Sequence, residues 1–383
     1  MTRTACKVAI MVWAGCLLLA RLDAGEAASD QPQPQIASGQ NAGEVLVVVG
    51  AAGGENYRVK FATWADRWRK GAKAGGCVFR QIGGTEQSHD PTNAASDRES
   101  LQAVLSQLDD SAATPFWLVL IGHGTFDGRS AKFNLEGPDI SVEDLADWLP
   151  PSRRTAVICC QSASGPFLEG LTQPNRIVIS ATKNGHEQNF ARFGDYFSQR
   201  VADPEADLDK DGQTSLLEAF LKAARDTAAF YRDSGRLATE HALLEDNGDG
   251  TTVRADDFRG IRLIDDESAE HVPDGQRAHQ LHLVPNRRER RLTAAQRQRR
   301  DAIEQAVFAH RRQRSNFSEE EYLAKLEALL LPLARLYADV DRTVLRKGGE
   351  PATNLSPSDP AGTVSSSFVA AEANRPPSVA RRP

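Results

Sequence analysis

Beyond its first stretch, the sequence lacks an apolar run long enough to cross a bilayer, which requires about 20 consecutive apolar residues. We therefore expect no membrane-spanning segment in the later part of the chain. An excess of basic residues is also missing: the formal net charge is -6, which disfavours a nucleic-acid partner. The Gly-x-Ser-x-Gly motif of α/β-hydrolase esterases is absent too, which argues against that class of enzyme.

Cysteine is scarce in this chain. Only five occur, and two of them, Cys6 and Cys16, lie in the N-terminal segment that has the pattern of an export signal. The other three, Cys77, Cys159 and Cys160, form an odd set with two adjacent members, which disfavours a disulfide framework. Cys77 and Cys159 fit the role of small buried hydrophobes. A thiol that stays free in an exported protein calls for a functional explanation, and Cys160 is the candidate.

The N-terminus has the pattern of an export signal. Arg3 and Lys7 give a charged start, residues 8–20 form an apolar core too short to span comfortably, and residues 25–27 supply a cleavage point. We predict an exported protein, periplasmic or extracellular. The alternatives are a lipoprotein site at Cys16 and an uncleaved anchor.

Five apolar runs in the middle of the chain predict strands that are buried on both faces. Helical patterns lie between them, including one over residues 101–108 and one that begins with Ser141 as N-cap. This alternation predicts βαβ units, and hence an α/β fold with a mostly parallel sheet flanked by helices. The segment between His123 and Ser141 is predicted to be a short hairpin or loop. The five runs are 45–50, 77–82, 116–121, 155–160 and 176–181.

Two chemically active side chains follow neighbouring runs. His123 comes just after the run 116–121, and Cys160 ends the run 155–160. Side chains at the carboxyl ends of parallel strands line the crevice in which ligands bind. A thiolate is the competent nucleophile, and an imidazole within hydrogen-bond reach generates it and later protonates the leaving amine. The pair predicts a cysteine protease dyad.

Four short segments resemble the legumain-like cysteine peptidases of the caspase-fold clan, which also includes the catalytic subunit of glycosylphosphatidylinositol transamidase. The segments stand in the family's order between about residues 44 and 225, so the C-terminal third lies outside the resemblance. The resemblance implies a caspase-like sheet followed by a C-terminal helical extension. The segments are NYRV at 56–59, IGHG at 121–124, CCQSAS at 159–164 and FGDYFS at 193–198.

The resemblance implies a role for each matching residue. Cys160 is the nucleophile, His123 its acid/base partner, and Asn56 the polar group that orients the imidazole. The backbone N–H groups of Gly124 and Cys160 are expected to stabilise the oxyanion. Cys159 competes for the nucleophile position, and strand alternation points the two thiols to opposite faces. The motif register selects Cys160, because Cys159 falls where the family has a small buried residue.

The resemblance is weaker in the substrate pocket. Legumains recognise asparagine at P1, the residue before the scissile bond, with arginine, histidine and acidic side chains. Arg58 matches, but Val59 and Ile158 replace the histidine and the acidic residue. We predict that Arg58 pairs with P1 aspartate or binds P1 asparagine, with Ser180 at the pocket wall.

A separate motif, DLDKDGQTSLLE at 207–218, fits the twelve-residue loop of an EF-hand, and helical patterns flank it. Gly212 stands at its sharp turn. Oxygen ligands of this number predict calcium, either structural or regulatory, and the incoming helix suggests that calcium orders the substrate site. The alternative is a solvated acidic turn. The predicted ligands are Asp207, Asp209, Asp211, Gln213 through its carbonyl, Ser215 and Glu218.

A weaker repeat of this motif occurs at 242–253, where Asn247, Asp249 and Gly250 mimic the third, fifth and sixth loop positions. The first and twelfth positions are Glu245 and Asp256, which fit poorly. An ordinary Asn-Gly, Asp-Gly turn explains this segment equally well.

The C-terminal third changes to alternating arginine and acidic residues. Ser318 and Glu321 form a capping-box pattern, and Pro332 is predicted to kink or end the helix that follows. Interspersed charges predict a solvated face, with an anionic surface or a protein partner as alternatives. The predicted organisation is a signal peptide (1–27), a linker (28–43), a caspase-like peptidase domain (44–235), a loop-rich extension (236–285), a charged helical hairpin (286–345) and a disordered tail (346–383).

The sequence as a whole predicts an exported cysteine endopeptidase that cleaves peptides or proteins through a thioester on Cys160. Calcium is the expected bound ion, and the chemistry itself is expected to need no cofactor. Two alternatives remain: a transpeptidase, in which an amine replaces water in deacylation, and a non-catalytic, calcium-dependent binding module.

Overall fold

The computed structural model describes residues 42–84, 95–264 and 272–347. The predicted signal peptide lies outside these residues, as does the predicted C-terminal tail except for residues 346 and 347, which are helical, so both stay predictions. Within the described ranges, no helix combines the length and apolar character that crossing a membrane requires.

A six-stranded sheet forms the centre of the molecule, with the order β2-β1-β3-β7-β8-β9. Five strands run parallel, and the edge strand β9 is antiparallel to β8. The five predicted strands are therefore confirmed, each to within one residue at either end. They are β1 (Glu44–Val49), β2 (Val78–Ile82), β3 (Phe116–Ile121), β7 (Thr155–Cys159) and β8 (Arg176–Ser180), with β9 at Leu243–Glu245.

Helices cover both faces of the sheet. Ser96, Ser141, Ser215 and Thr293 each begin a helix with a reciprocal capping box, so the predicted N-cap at Ser141 is confirmed. The helices are α1 (Glu55–Gly75), α2 (Asp97–Ser106), α3 (Val142–Trp148), α4 (Gly165–Leu171), α5 (Phe193–Arg200), α6 (Leu216–Asp233), α7 (Gln276–His279), α8 (Ala294–Arg312) and α9 (Glu319–Lys347).

Strand alternation divides the core into two layers. One layer joins side chains such as Val47 and Ile158 to α1, α5 and α6, and the other joins Val48 and Val157 to α2, α3 and α4. Burial on both faces explains the continuous apolar runs in the sequence. The fold is an α/β fold with a mostly parallel sheet flanked by helices, as the sequence predicts.

Small elements complete the chain. The segment after His123 forms a three-stranded antiparallel sheet rather than a single hairpin, with β4 (Gly124–Phe126), β5 (Ala131–Phe133) and β6 (Ile140–Ser141). A two-stranded ribbon follows β9, with β10 (Phe258–Arg259) and β11 (Arg262–Leu263). Short 3₁₀ helices occur at Pro204–Ala206, Ala255–Asp257, Glu289–Arg291 and Arg314–Asn316.

The C-terminal helices α8 and α9 are confirmed as elements, although the predicted domain boundaries stay predictions. Ser318 and Glu321 exchange the capping-box hydrogen bonds that their spacing predicts. Pro332 does not end the helix, because α9 continues through it to Lys347. Leu336 and Val340 of α9 pack with Leu292, which lies just before α8.

Candidate active site

His123 and Cys160 lie at the carboxyl ends of neighbouring strands. β3 and β7 are paired, and Leu120 stands opposite Cys159 in their register. The His123 ring contacts Tyr57 and Phe61, with ring centroids 4.7 and 5.3 Å apart. Cys160 packs in the same layer of the core as Phe61. The fold therefore brings both side chains to the same face of the sheet.

The His123 imidazole is oriented by a backbone carbonyl. Its Nε2 lies 3.2 Å from the Ala52 oxygen. A carbonyl only accepts, so Nε2 carries the proton and Nδ1 keeps its lone pair. Partial burial lowers the pKa of His123 below its usual range. This effect outweighs the hydrogen bond to Ala52, which raises the pKa. His123 is thus a neutral imidazole at pH 7, with Nδ1 available as a base.

Asn56 does not hold the imidazole in this structure. It is exposed in the first turn of α1, and no hydrogen bond joins it to His123 within the described ranges. The Ala52 carbonyl, four residues earlier, takes that position instead. Every residue has a backbone carbonyl, so the sequence alone does not show which one bonds to His123.

Cys160 is covered rather than open to the crevice. It is 1% exposed, and a Cβ atom at position 194 would lie only 2.6 Å from the Cys160 Cβ and 2.8 Å from the Trp64 ring. Burial raises the pKa of the Cys160 thiol well above its usual range. Among the described residues, no hydrogen bond joins Cys160 to His123. The nucleophile predicted from sequence is therefore a neutral, shielded thiol here.

The two expected oxyanion donors are both engaged within the protein. The Cys160 N–H donates to the Leu120 carbonyl at 2.9 Å, extending the pairing of β7 with β3. The Gly124 N–H donates to Ser162 Oγ at 3.3 Å. Gly124 is required for a close backbone approach, because a Cβ there would lie 2.2 Å from the backbone carbonyl oxygen of Ser162. Neither N–H points freely toward a substrate in this conformation.

The adjacent thiols point to opposite layers of the core, as strand alternation predicts. Cys159 packs with α2, α3 and α4, and burial raises the pKa of its thiol to about 12. The three described cysteines are all free, so no vicinal disulfide joins Cys159 to Cys160. Of the two, only Cys160 lies on the His123 side of the sheet.

The predicted pocket residues occupy different surroundings from those expected. Arg58 is exposed and donates to both carboxylate oxygens of Glu55, at 2.8 Å each. Ser180 is fully buried, and its hydroxyl donates to the Thr182 carbonyl at 2.9 Å. It stands opposite Cys159 in the β7–β8 register, so its side chain lies on the other face from Cys160. The position of Ser180 excludes it from a pocket wall beside Cys160 in this structure.

Cations that the sequence did not single out lie beside the histidine. The ammonium of Lys60 lies 5.1 Å from the Phe190 ring centre, and the guanidinium of Arg192 lies 5.8 Å from it. Phe190 in turn contacts the His123 ring, with centroids 6.1 Å apart. The surface next to the histidine is therefore aromatic with a positive rim.

Glu240 anchors the helix that covers Cys160. Its buried carboxylate accepts from the Arg192 and Phe193 N–H groups at the start of α5, at 2.8 to 2.9 Å, and from the Tyr231 hydroxyl. Gly194, which follows Phe193 in α5, packs on Cys160. Glu240 therefore fixes the cover by charge-assisted hydrogen bonds to a helix N-terminus. Glu240 is 47 residues from Phe193 in the sequence, so no local sequence pattern indicates this contact.

The loop at 207–218 brings three carboxylates together. One oxygen each of Asp207, Asp209 and Asp211 lies within 4.8 Å of the others, the one such acidic group found in the described part of the chain. Gly212 has φ 88°, the left-handed conformation expected at the sharp turn. Burial and the charge of Asp209 raise the pKa of Asp211 to about 6. This oxygen-rich cluster fits a hard divalent cation such as calcium.

The remaining predicted ligands make protein contacts. Glu218 accepts from the Leu208 and Asp209 N–H groups with one oxygen, and from Ser215 with the other. Ser215 is the N-cap of α6. The Gln213 side chain bonds Asp211, which leaves its backbone carbonyl as the predicted ligand atom. Glu218 must exchange its contacts before it can bind an ion through both oxygens.

The weaker repeat at 242–253 does not gather a second acidic group of that kind. Asp246 is fully buried, and its carboxylate accepts from the N–H groups of Gly275 and Ala278 at the start of α7. Asp274 lies beside it and accepts from the Asp246 N–H. Burial and the neighbouring Asp246 raise the pKa of Asp274 to about 9. This segment is therefore a turn with a buried carboxyl pair.

No family model and no curated protein matches this chain. Among solved structures it is similar to the initiator caspase Dronc of Drosophila, with 14% sequence identity and a TM-score of 0.38 over 56% of this chain and 83% of that chain. It is also similar to caspase-1 from Spodoptera frugiperda, with 12% identity and a TM-score of 0.34 over 54% of this chain and 86% of that chain.

Proposed function

We propose that this protein is a cysteine endopeptidase with Cys160 as nucleophile and His123 as acid/base. The observation that carries the proposal is the position of these two side chains at the carboxyl ends of paired strands β3 and β7, on one face of the sheet. The orientation of His123 by the Ala52 carbonyl supports it, since Nδ1 is left as the base.

In this reaction, His123 Nδ1 takes the proton from the Cys160 thiol, and the thiolate attacks the carbonyl carbon of the scissile peptide. The tetrahedral intermediate collapses as the imidazolium returns the proton to the leaving amine, which gives a thioester on Cys160. Water, deprotonated by the same imidazole, then attacks the thioester and releases the carboxylic acid and the free thiol. Each proton transfer of this kind contributes about 10²–10⁴-fold to the rate.

The reaction requires the start of α5 to move away from Cys160. Gly194 lies against the thiol, and the N–H groups of Gly124 and Cys160 are bonded within the protein. Displacement of Gly194 would uncover the thiol, and shifts of the strand end at Cys160 and of Ser162 would free the two donors. We propose that the conformation described here is the resting state and that substrate binding stabilises the open one.

For the P1 residue we propose aspartate or asparagine. Arg58 reaches the P1 side chain after breaking its ion pair with Glu55. This ion pair is exposed and therefore weak, since a typical surface pair contributes about 0–1 kcal/mol. The positive rim formed by Lys60 and Arg192 favours an acidic side chain over a basic one at the same edge.

Calcium is proposed for the loop at 207–218, held by Asp207, Asp209 and Asp211 and completed by the Gln213 carbonyl, Ser215 and Glu218. The ion supplies local charge neutralisation and rigidity rather than a step of the chemistry. Export to the periplasm or the cell exterior is likewise proposed from the N-terminal pattern, whose residues lie outside the described ranges.

Two other functions use the same fold. A transpeptidase shares every step to the thioester, with an amine taking the place of water. A non-catalytic, calcium-dependent binding module is favoured by one observation, the burial of Cys160 beneath Gly194 and Trp64.

The test is hydrolysis of a peptide library varied at P1, by wild type and by Cys160→Ala, His123→Ala and Cys159→Ala. We expect Cys160→Ala and His123→Ala to abolish cleavage and Cys159→Ala, whose thiol lies on the other face, to keep it. Mass analysis of products with and without an added amine separates hydrolysis from transpeptidation. Full activity in Cys160→Ala refutes the mechanism, and inactivity of the wild type on all peptides favours the binding module.

A further inference from the structure

A cavity of about 620 Å³ lies at the opposite end of the sheet from His123 and Cys160. Ala42, Pro115 and Arg154 line it, and they directly precede strands β1, β3 and β7 or stand within two residues of them. Helix α8 closes the other side through Arg297 and Asp301. The cavity is thus formed between the amino ends of the parallel strands and the C-terminal helices.

Arginines with unused hydrogen-bond donors line this cavity. The Nη1 group of Arg277 is buried and has no hydrogen-bond partner within the described ranges. Arg297 is half-buried, and no hydrogen bond or ion pair joins its guanidinium to another described residue. A third, Arg154, donates to Asp301 at 2.9 Å and to the Arg277 carbonyl at 3.1 Å. Two of the three guanidinium groups therefore keep unused donors.

The acidic groups of the cavity already have other partners. Asp301 and Glu289 both pair with Arg300, a fourth arginine in the lining. Asp110 accepts from the N–H groups of Ser152 and Arg153, at 2.7 and 3.0 Å. None of these carboxylates forms an ion pair with Arg277 or Arg297, and the lining holds four arginines against three carboxylates.

The cations also act on one another. Burial lowers the pKa of Arg154. The charge of Asp301 opposes this effect, and repulsion from Arg300 and Arg277 adds to it. Burial also lowers the pKa of Arg297, while the charges of Glu289 and Asp301 raise it. His282 faces the same group, and burial together with Arg300 lowers its pKa well below the usual range, so the imidazole is neutral. Because arginines outnumber carboxylates in this partly enclosed lining, a bound anion would lower its electrostatic free energy.

We propose that this cavity binds a small oxyanion with several negative charges, carried on phosphate or carboxylate groups. The planar forks of Arg277 and Arg297 suit bidentate contacts with either group, and neutral His282 adds one further hydrogen-bonding atom. The volume is in the range of sites for small molecules, about 300–1,000 Å³. Such a ligand would connect the C-terminal helices to the strands of the sheet.

Calorimetric titration of the full chain tests the proposal, with sodium pyrophosphate and sodium citrate as separate probes against sodium chloride of equal ionic strength. We expect saturable binding of at least one probe and a loss of tenfold or more in affinity in Arg277→Gln and in Arg297→Gln. Arg80→Gln is the matched control, since Arg80 is exposed on the edge strand β2, and it should bind like wild type. Binding of pyrophosphate alone assigns phosphate chemistry, and of citrate alone carboxylate chemistry.

Thermal unfolding checks that each variant folds. If Arg277→Gln does not fold, the affinity of Arg297→Gln alone tests the proposal. The proposal is overturned if neither probe binds beyond the chloride control, or if the folded variants keep wild-type affinity.

Discussion

Gly194 lies directly against Cys160: a Cβ atom at position 194 would stand 3.1 Å from the Cys160 sulfur. The start of α5 therefore acts as a cover on the candidate nucleophile, and its position decides whether the thiol meets substrate. Glu240 is the residue that holds this cover in place.

Substituting Gly194 by alanine should force the cover and the thiol apart. The added methyl has no space between Cys160 and Trp64, so we expect a loss of about 1–3 kcal/mol in the free energy of unfolding. Urea denaturation measures it. Gly54→Ala is the control, because no atom lies near that position and its φ of -179° is extended, and it should change stability little. Equal stability of the two variants would show that α5 is not packed on Cys160.

Substituting Glu240 by glutamine should loosen the cover. The carboxylate accepts from Arg192 and Phe193, and weakening hydrogen bonds to a charged group costs about 1.5–3 kcal/mol. We expect faster reaction of Cys160 with a thiol reagent such as dithionitrobenzoate in the native protein, followed by mass mapping of the labelled cysteine. Glu205→Gln, at an exposed position, should label at the wild-type rate. Unchanged labelling in Glu240→Gln would mean that the cover is held by other contacts.

Calcium should stabilise the protein through the loop at 207–218. At a concentration one hundred times its dissociation constant, a ligand that binds only the folded state adds about 2.7 kcal/mol. We expect calcium to raise the unfolding temperature of wild type, a chelator to reverse it, and Asp211→Asn to abolish the shift. Asp249→Asn, in the weaker repeat, should keep the full shift. If Asp211→Asn responds to calcium like wild type, the ion binds elsewhere.

The buried pair of Asp246 and Asp274 should make stability fall as pH rises. The folded pKa of Asp274 is about 9, above the ordinary 3.8, so the folded state holds a proton that the unfolded state has released. The stabilisation that this proton gives the folded state is complete below about pH 4. It is lost as pH rises toward 9, and the free energy of unfolding then falls by up to about 1.4 kcal/mol per pH unit.

Asp274→Asn keeps the neutral form at every pH and should flatten this fall. Denaturant midpoints measured between pH 4 and 9 test it, and exposed Asp256→Asn should follow the wild-type curve. Parallel curves for Asp274→Asn and wild type would contradict the raised pKa of Asp274.

Local patterns in the sequence predict the strands, the Ser141 cap and the acidic loop, because each rests on residues close together in the chain. The partners that define the candidate site are different. Ala52 acts through a backbone carbonyl, and Glu240 reaches Phe193 across 47 residues. Ser180 was misplaced because the face that a side chain takes depends on register with its neighbour, which the sequence alone does not give.

The burial of Cys159 and Cys160 and the partial burial of Cys77 have a consequence for the chemical lifetime of the folded protein. Oxidants and disulfides react with thiolates, and burial raises the pKa of Cys77 to about 11 and that of Cys159 to about 12. The native chain therefore presents almost no reactive sulfur to an oxidising medium. The unfolded chain loses this protection and exposes two neighbouring thiols, so oxidative damage should fall mainly on molecules that have not yet folded.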